Sequence, residues 1–146
     1  MIPNTALVLL DTNVLVQLIR KSALGERIES EYQLSSRQER PLISVVTVGE
    51  MRALALKFGW GLKKVADLTA LLHELVIVDI NSDAVIANYA EIDRLSEQGG
   101  RPMGKNDIWI AATAAATNAW LLTTDKDFDH LHGTRINREW VDPAVA

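Results

Sequence analysis

The sequence predicts an α/β fold built on a doubly wound, mainly parallel sheet with helices on both faces, in a single domain. Short apolar runs rich in β-branched residues alternate along the chain with longer segments of helical periodicity. Strands that alternate with helices favour parallel pairing, because each crossover helix packs back onto the sheet. The chain has 146 residues, of which 48% are hydrophobic, so one domain over residues 1–146 can bury its own core.

Strands are predicted at four apolar runs of about four to six residues. These runs are Ala6–Leu10, Leu42–Val46, Leu75–Ile80 and Ala119–Thr123. Near-continuous apolar character is typical of strands that are buried on both faces of a sheet. Ligands of such sheets bind at the carboxyl ends of the strands, so we expect the chemistry of this protein at that edge.

Helices are predicted between these strands. A first helix begins at Val14, and apolar residues at helical spacing mark three more: Val48, Met51, Leu54 and Phe58; Leu62, Val65, Leu68 and Leu72; and Val85, Tyr89, Ile92 and Leu95. The stretch GKNDIWIAATA, residues 104–114, begins with polar residues and then becomes almost wholly apolar. It predicts a buried helix that leads into the last strand.

Composition limits the environment and the class of the protein. The absence of cysteine excludes disulfides and thiolate metal sites and fits a reducing compartment. No apolar run reaches the roughly 18 residues of a membrane span, and residues 1–5 lack the basic region of a signal peptide. We therefore expect a cytoplasmic protein with no membrane partner. The net charge of −4 is unlike that of most nucleic-acid-binding domains, which are basic.

Acidic residues follow the predicted strands at several separate points. Asp11 comes directly after the first strand, and Asp125 follows the last strand. Glu50 lies one turn into the helix after the second strand, and Asp107 opens the last helix. All four are expected at one edge of the sheet, where carboxylates repel one another unless a cation neutralises them. Mg²⁺ prefers oxygen ligands, and two such ions can activate a water and stabilise the leaving oxygen of a phosphodiester.

Each acid also fits a purely structural role. Thr47-x-x-Glu50 matches a capping box, and Asp107 is a suitable cap for its helix. Asp11 is placed to cap the first helix, and Asp125 to form a turn. For one residue taken alone, the structural role is at least as economical as a metal site. It is less economical for four acids at one sheet edge.

Four stretches resemble the PIN-domain family, and most closely the VapC-type toxins of bacterial and archaeal toxin–antitoxin pairs. They are LLDTNVLV, TVGE, GKNDIWIAATA and LLTTDKDFDHL, in this order, and together they span Leu9 to about Leu131. The first and third stretches are the specific ones, whereas TVGE alone is weak.

The resemblance implies a PIN-like α/β fold and an endoribonuclease that depends on Mg²⁺ or Mn²⁺, with one or two ions. The metal-binding and catalytic acids of the family correspond to Asp11, Glu50, Asp107 and Asp125. The expected products carry a 5′-phosphate and a 3′-hydroxyl. The family also implies an RNA substrate, a homodimer, and a cognate antitoxin that inserts a basic side chain among the acids.

Further residues are expected to support this site. Asn13 and Thr124 match polar positions of the family beside the acids, where they would hydrogen-bond a carboxylate or a metal-bound water, and Asp127 is a fifth acid of lower rank. Bound cations would offset the charge of the acids, so that substrate phosphates can meet nearby basic side chains. Those basic residues are Lys57, Lys63, Lys64, Arg101, Lys105 and Lys126, of which Arg101, Lys105 and Lys126 are the main candidates for substrate binding.

Two other functions compete with the nuclease. A phosphoacceptor signalling domain also gathers acids at strand ends, but its nucleophile would have to be Asp79, which lies inside the apolar run VIVDI. A non-catalytic protein-interaction module would use the acids only as helix caps. The stretch KFGWGLKK around Trp60 offers an aromatic surface for such a partner.

Overall fold

A five-stranded, fully parallel sheet forms the centre of the protein, and a computed structural model describes it over residues 2–145. The strand order is β3-β2-β1-β4-β5. The strands are β1 (Val8–Leu10), β2 (Leu42–Ser44), β3 (Val76–Val78), β4 (Trp120–Thr123) and β5 (Asn137–Trp140). The predicted parallel α/β architecture is therefore confirmed, with β1 at the middle of the sheet.

Helices cover both faces of this sheet. They are α1 (Thr12–Arg20), α2 (Ala23–Tyr32), α3 (Val45–Lys57), α4 (Leu62–His73), α5 (Asp83–Gln98) and α6 (Lys105–Thr117), with short 3₁₀ helices at Leu34–Ser36 and Lys126–Leu131. Successive residues of β1 point to opposite faces. Val8 and Leu10 therefore join the core under α1–α4, whereas Leu9 joins the core under α5 and α6.

The helix α6 lies close to the sheet because its buried face consists largely of small residues. Ala111, Ala112 and Ala114 are at most 1% exposed, and Ile108 and Ile110 are fully buried beside them. Alanine side chains let the helix backbone approach the strands closely, and the two isoleucines fill the space at the start of the helix. This packing fixes the direction in which the first turn of α6 presents its polar side chains.

The structure differs from the predicted elements at several boundaries. The strands are shorter than their apolar runs, because helix α3 already begins at Val45 and β3 ends at Val78. Helix α1 begins at Thr12 rather than Val14. The sequence patterns indicated neither α2 nor β5. Within residues 2–145, no helix combines the length and the apolar character needed to cross a membrane.

Candidate functional site

The parallel sheet brings the predicted acids to the carboxyl ends of β1, β2 and β4. Asp11 follows β1 immediately, and Asp125 is the second residue after the end of β4. Glu50 lies on α3, which begins as β2 ends, and Asp107 is the third residue of α6. Three of these residues, Asp11, Glu50 and Asp107, line one cavity of about 360 Å³.

Asp11 is the most deeply buried of the acids, with 3% of its surface exposed. One carboxylate oxygen accepts from the main-chain N–H of Thr12 at 2.8 Å, and the other accepts from the hydroxyl of Thr123 at 2.7 Å. Burial raises the pKa of Asp11 to about 6, and the charges of Asp125 and Glu50 add to the effect. Asp11 is thus the N-cap of α1, as the structural role required, and it also faces other carboxylates.

Glu50 is held by side chains from other elements. The hydroxyl of Thr12 donates to one of its carboxylate oxygens at 2.6 Å, and the amide of Asn106 donates to the other at 3.4 Å. The capping-box interpretation of Glu50 is wrong. Helix α3 begins at Val45, where Ser44 is the N-cap and accepts from the main-chain N–H of Val46 at 3.1 Å.

Asp107 is half-buried in the first turn of α6 and does not cap that helix. The N-cap is Gly104, whose position offers no side-chain hydrogen bond. Burial raises the pKa of Asp107 to about 7, with further contributions from the charges of Asp11, Asp125, Glu50 and Asp127, in that order. The alternative in which Asp107 serves only as a helix cap is therefore wrong, and the charged groups that act on Asp107 are other carboxylates.

Asp125 and Asp127 complete the acidic group. The main-chain N–H of Asp127 donates to Asp125 at 2.9 Å, and that of Asp125 donates to the Thr123 hydroxyl at 2.9 Å. Asp125 is therefore a turn residue as well as a member of the group. One carboxylate oxygen from each of Asp107, Asp125 and Asp127 lies within 4.8 Å of the other two. The structure thus gives Asp127 a more central place than the sequence suggested.

Threonine hydroxyls organise the acids. The hydroxyl of Thr12 donates to Glu50. The hydroxyl of Thr123 donates to Asp11 and accepts from the main-chain N–H of Asp125. The hydroxyl of Thr47 lies 3.0 Å from that of Thr12. Thr12 and Thr123 were not predicted as site residues from the sequence, and Thr47 was considered only as part of a capping box with Glu50. Their positions in the sequence could have identified Thr12 and Thr123 as site residues, because both lie next to the strand ends that carry the acids. Thr12 directly follows Asp11 at the end of β1, and Thr123 is the last residue of β4.

The polar residues predicted beside the acids have different surroundings. Asn13 is exposed and lines the same cavity as Asp11. The main-chain carbonyl of Thr124 accepts from the indole N–H of Trp140 at 3.0 Å, which ties the turn after β4 to the end of β5.

The basic candidates lie on the outside of the group. The ammonium of Lys105 is 3.6 Å from Asp93, and that of Lys126 is 4.7 Å from the centre of the Trp140 ring. Arg101 is exposed in the loop before α6, and Lys57 lines the acidic cavity. Among residues 2–145, none of the five acids forms an ion pair with a lysine or arginine.

This donor set fits a hard divalent cation. It consists of carboxylate oxygens, which Mg²⁺ and Mn²⁺ prefer, and it contains no sulfur ligand. Burial, and after it the charges of the neighbouring carboxylates, raises the pKa of Asp11 and of Asp107, and no lysine or arginine among the described residues pairs with either group. A bound cation would supply the missing positive charge.

Asp79, the nucleophile required of a signalling domain, lies elsewhere. Strand β3 ends at Val78, so Asp79 follows it directly, and the prediction that it lies inside the strand is wrong. Asp79 is exposed and accepts from the main-chain N–H of Asn81 at 3.0 Å. Because β3 is an edge strand separated from β1 by β2, this residue does not belong to the acidic group.

Comparison with known proteins gives consistent matches over most of the chain. The family model described as PIN domain matches residues 8–133. The chain is 30% identical over 129 residues to Ribonuclease VapC1 of Haemophilus influenzae (strain R2866), covering 84% of this chain and 90% of that protein.

Solved structures agree with this match. The structure of VapBC2 from Rickettsia felis, bound to a DNA fragment from its promoter, has a TM-score of 0.80 and 26% identity over 91% of this chain and 97% of that chain. FitAcB from Neisseria gonorrhoeae has a TM-score of 0.68 and 28% identity over 83% of this chain and 89% of that chain. The matched span of the family model includes every acid of the group.

Proposed function

The chain belongs to the PIN-domain family, and from this premise we propose that it is a metal-dependent endoribonuclease acting as the toxin of a toxin–antitoxin pair. The resemblance found in the sequence motifs is thereby confirmed at the level of the family. The proposal is supported by a relative named as a ribonuclease and by the similarity to the solved VapBC2 structure. An RNA substrate would be met in the cytoplasm, where we place the protein.

One observation carries the metal dependence. Acids from separate parts of the chain meet at one sheet edge, and burial and mutual repulsion raise the pKa of Asp11 to about 6 and that of Asp107 to about 7. Such an arrangement costs stability unless a cation occupies it. We assign Asp107, Asp125 and Asp127 to one Mg²⁺ or Mn²⁺ ion because their oxygens lie closest together. Asp11 and Glu50 would serve this ion or a second one.

The chain's own residues orient the ligands. Thr12 and Thr123 fix the carboxylates of Glu50 and Asp11 through their hydroxyls, and the buried face of α6 fixes Asp107. When bound, a divalent ion lowers the pKa of a water for attack on phosphorus and neutralises charge on the leaving oxygen. The expected products therefore carry a 5′-phosphate and a 3′-hydroxyl.

The experiment that tests this function is cleavage of RNA by the purified chain. We expect activity with Mg²⁺ or Mn²⁺, loss of activity with EDTA, and recovery when the metal is restored. Asp107→Asn should abolish cleavage while the protein remains folded, whereas Asp79→Asn, at the distant edge strand, should cleave normally. Cleavage that survives chelation would exclude the proposed metal mechanism.

We also propose a protein partner for the same site. The cavity of about 360 Å³ is lined by Asp11, Glu50 and Asp107, so it is complementary to a basic side chain. An antitoxin that inserts an arginine or lysine there would compete with the metal and inhibit cleavage. Co-purification with the product of an adjacent gene would test this, as would size-exclusion chromatography for the expected homodimer.

A further inference from the structure

The acidic cavity has one cationic side chain among the described residues that line it. These residues are Asp11, Thr12, Asn13, Glu50, Ala53, Leu54, Lys57 and Asp107. A polyanion that approaches the carboxylates needs compensating positive charge near them. Lys57, at the end of α3, is the lining residue that can provide it.

Phe58 directly follows Lys57, the lining residue of the cavity, and is the C-cap residue of helix α3. Its side chain is 54% exposed, and the ammonium of Lys57 is 5.7 Å from the centre of its ring. Trp60, two residues later, is half-buried and packs against the core under α1–α4. Core packing therefore accounts for Trp60, whereas it leaves the ring of Phe58 largely in solvent.

We propose that Lys57, at the acidic cavity, and the neighbouring ring of Phe58 form a subsite for single-stranded RNA, an inference that rests on the proposed ribonuclease function. The exposed ring offers a stacking surface for one unpaired base, and Lys57 meets the adjoining phosphate. Aromatic stacking beside a basic group is a general means of binding single strands without reading their sequence. A base inside a duplex is already stacked on its neighbours, so the subsite favours unpaired RNA.

The charge of the surrounding surface favours RNA over a protein partner. Lys57, Lys63 and Lys64 lie at the ends of α3 and α4 that meet at the connecting turn, and Lys63 is paired with Asp67 at 3.0 Å. The remaining cations leave this end of the two helices positive, which is complementary to a phosphate backbone. A protein that docked here through apolar contact would instead use the exposed aliphatic residues of the same surface.

Leu62 provides the matched control for that distinction. It begins α4, four residues after Phe58, and is 92% exposed. Truncation of either side chain to alanine removes little buried surface, so both variants should remain folded. The two substitutions differ in the stacking surface: Phe58→Ala removes an aromatic face, and Leu62→Ala removes none.

The test measures RNA binding in the Asp107→Asn background, which prevents cleavage. Fluorescence anisotropy in Mg²⁺ would compare a short unstructured RNA with its duplex. We expect Phe58→Ala to weaken single-strand binding by roughly tenfold or more, Phe58→Trp to restore it, and Leu62→Ala to leave it unchanged. Lys57→Ala should weaken binding and reduce its salt dependence by about one phosphate contact.

Several results would overturn the inference. One is unchanged affinity in Phe58→Ala, and another is an equal loss in Leu62→Ala. Equal affinity for the duplex would be a third. If Phe58→Ala changed the oligomeric state in size-exclusion chromatography but not RNA affinity, the surface would be a protein interface. If the wild-type protein cleaves RNA but the Phe58 and Lys57 variants bind RNA normally, only the subsite is refuted. If the wild-type protein neither binds nor cleaves RNA, the proposed function is refuted as well.

Discussion

Replacement of Asp107 by asparagine should stabilise the metal-free protein at alkaline pH. The carboxylate of Asp107 is half-buried and faces other acids, which together raise its pKa from 3.8 to about 7. Asparagine keeps the size and shape of the side chain, replaces one acceptor oxygen by a donor amide and removes the charge. If crowding of carboxylates costs stability, its removal must raise the free energy of unfolding while cleavage is lost.

The size of the effect follows from linkage between protonation and folding. A rise in pKa from 3.8 to about 7 corresponds to about 4 kcal/mol at about 1.4 kcal/mol per pH unit. Because the side chain is partly exposed, solvent screening reduces this to about 2 kcal/mol. Between about pH 4 and pH 7 the folded state still holds a proton that the unfolded chain has already released. Stability therefore falls as the pH rises through this window, and the full cost is present above it.

Scanning calorimetry in EDTA would measure this effect at two pH values. At pH 8, Asp107→Asn should melt roughly 4–8 °C higher than the wild type, whereas at pH 4.5 the difference should be small. The matched control is Asp83→Asn, an exposed acid in the first turn of α5, which should gain nothing. If Asp107→Asn melted no higher at pH 8, or gained equally at both pH values, carboxylate repulsion would not be the cause.

Three other substitutions and one change of conditions test the surrounding structure. Thr123→Val removes the buried hydroxyl that donates to Asp11, so urea denaturation should show a loss of about 1–3 kcal/mol; unchanged stability would mean that this hydrogen bond is replaced. Gly25→Ala would place its Cβ 2.3 Å from the carbonyl oxygen of Gln17 and should destabilise α1 against α2 by about 1–3 kcal/mol or more. Gly49→Ala, whose Cβ meets nothing within 4 Å, should instead gain about 0.5–1 kcal/mol. Because metal ligands must be deprotonated, Mn²⁺ should raise the melting temperature of the wild type more at pH 8 than at pH 5; an equal rise would argue against binding by acids of raised pKa.

The sequence patterns predicted the buried strands well and the edge of the sheet poorly. The runs around β1 and β4 are apolar because helices cover both faces of these strands. An apolar run in the sequence therefore predicts these two strands. Strand β5 has the sequence NREW, is at the edge of the sheet and pairs only with β4. No residue of β5 is fully buried, so no apolar pattern marks it. Strand β3, at the other edge, was predicted because its residues are apolar although they too are partly exposed.

The same limits apply to the site. The topology of a parallel sheet is enough to predict that acids after its strands share an edge. The pattern Thr47-x-x-Glu50 led to the wrong prediction that the helix begins near Thr47. The β-branched residues Val45 and Val46 are typical of a strand, whereas helix α3 already begins at Val45. The bridge from Thr123 to Asp11 joins residues 112 positions apart, and no local pattern encodes such a pair.

That bridge also dictates when during synthesis the site can exist. Strand β1 is made early, yet one of its two neighbours in the sheet is β4, and the main-chain N–H of Asp11 donates to the carbonyl of Leu122 at 3.0 Å. A nascent chain still attached to the ribosome therefore holds its first acid without the partners that orient it. The acidic group assembles only after Asp125 has emerged, so under the proposed function translation itself delays the appearance of the RNA-cleaving activity.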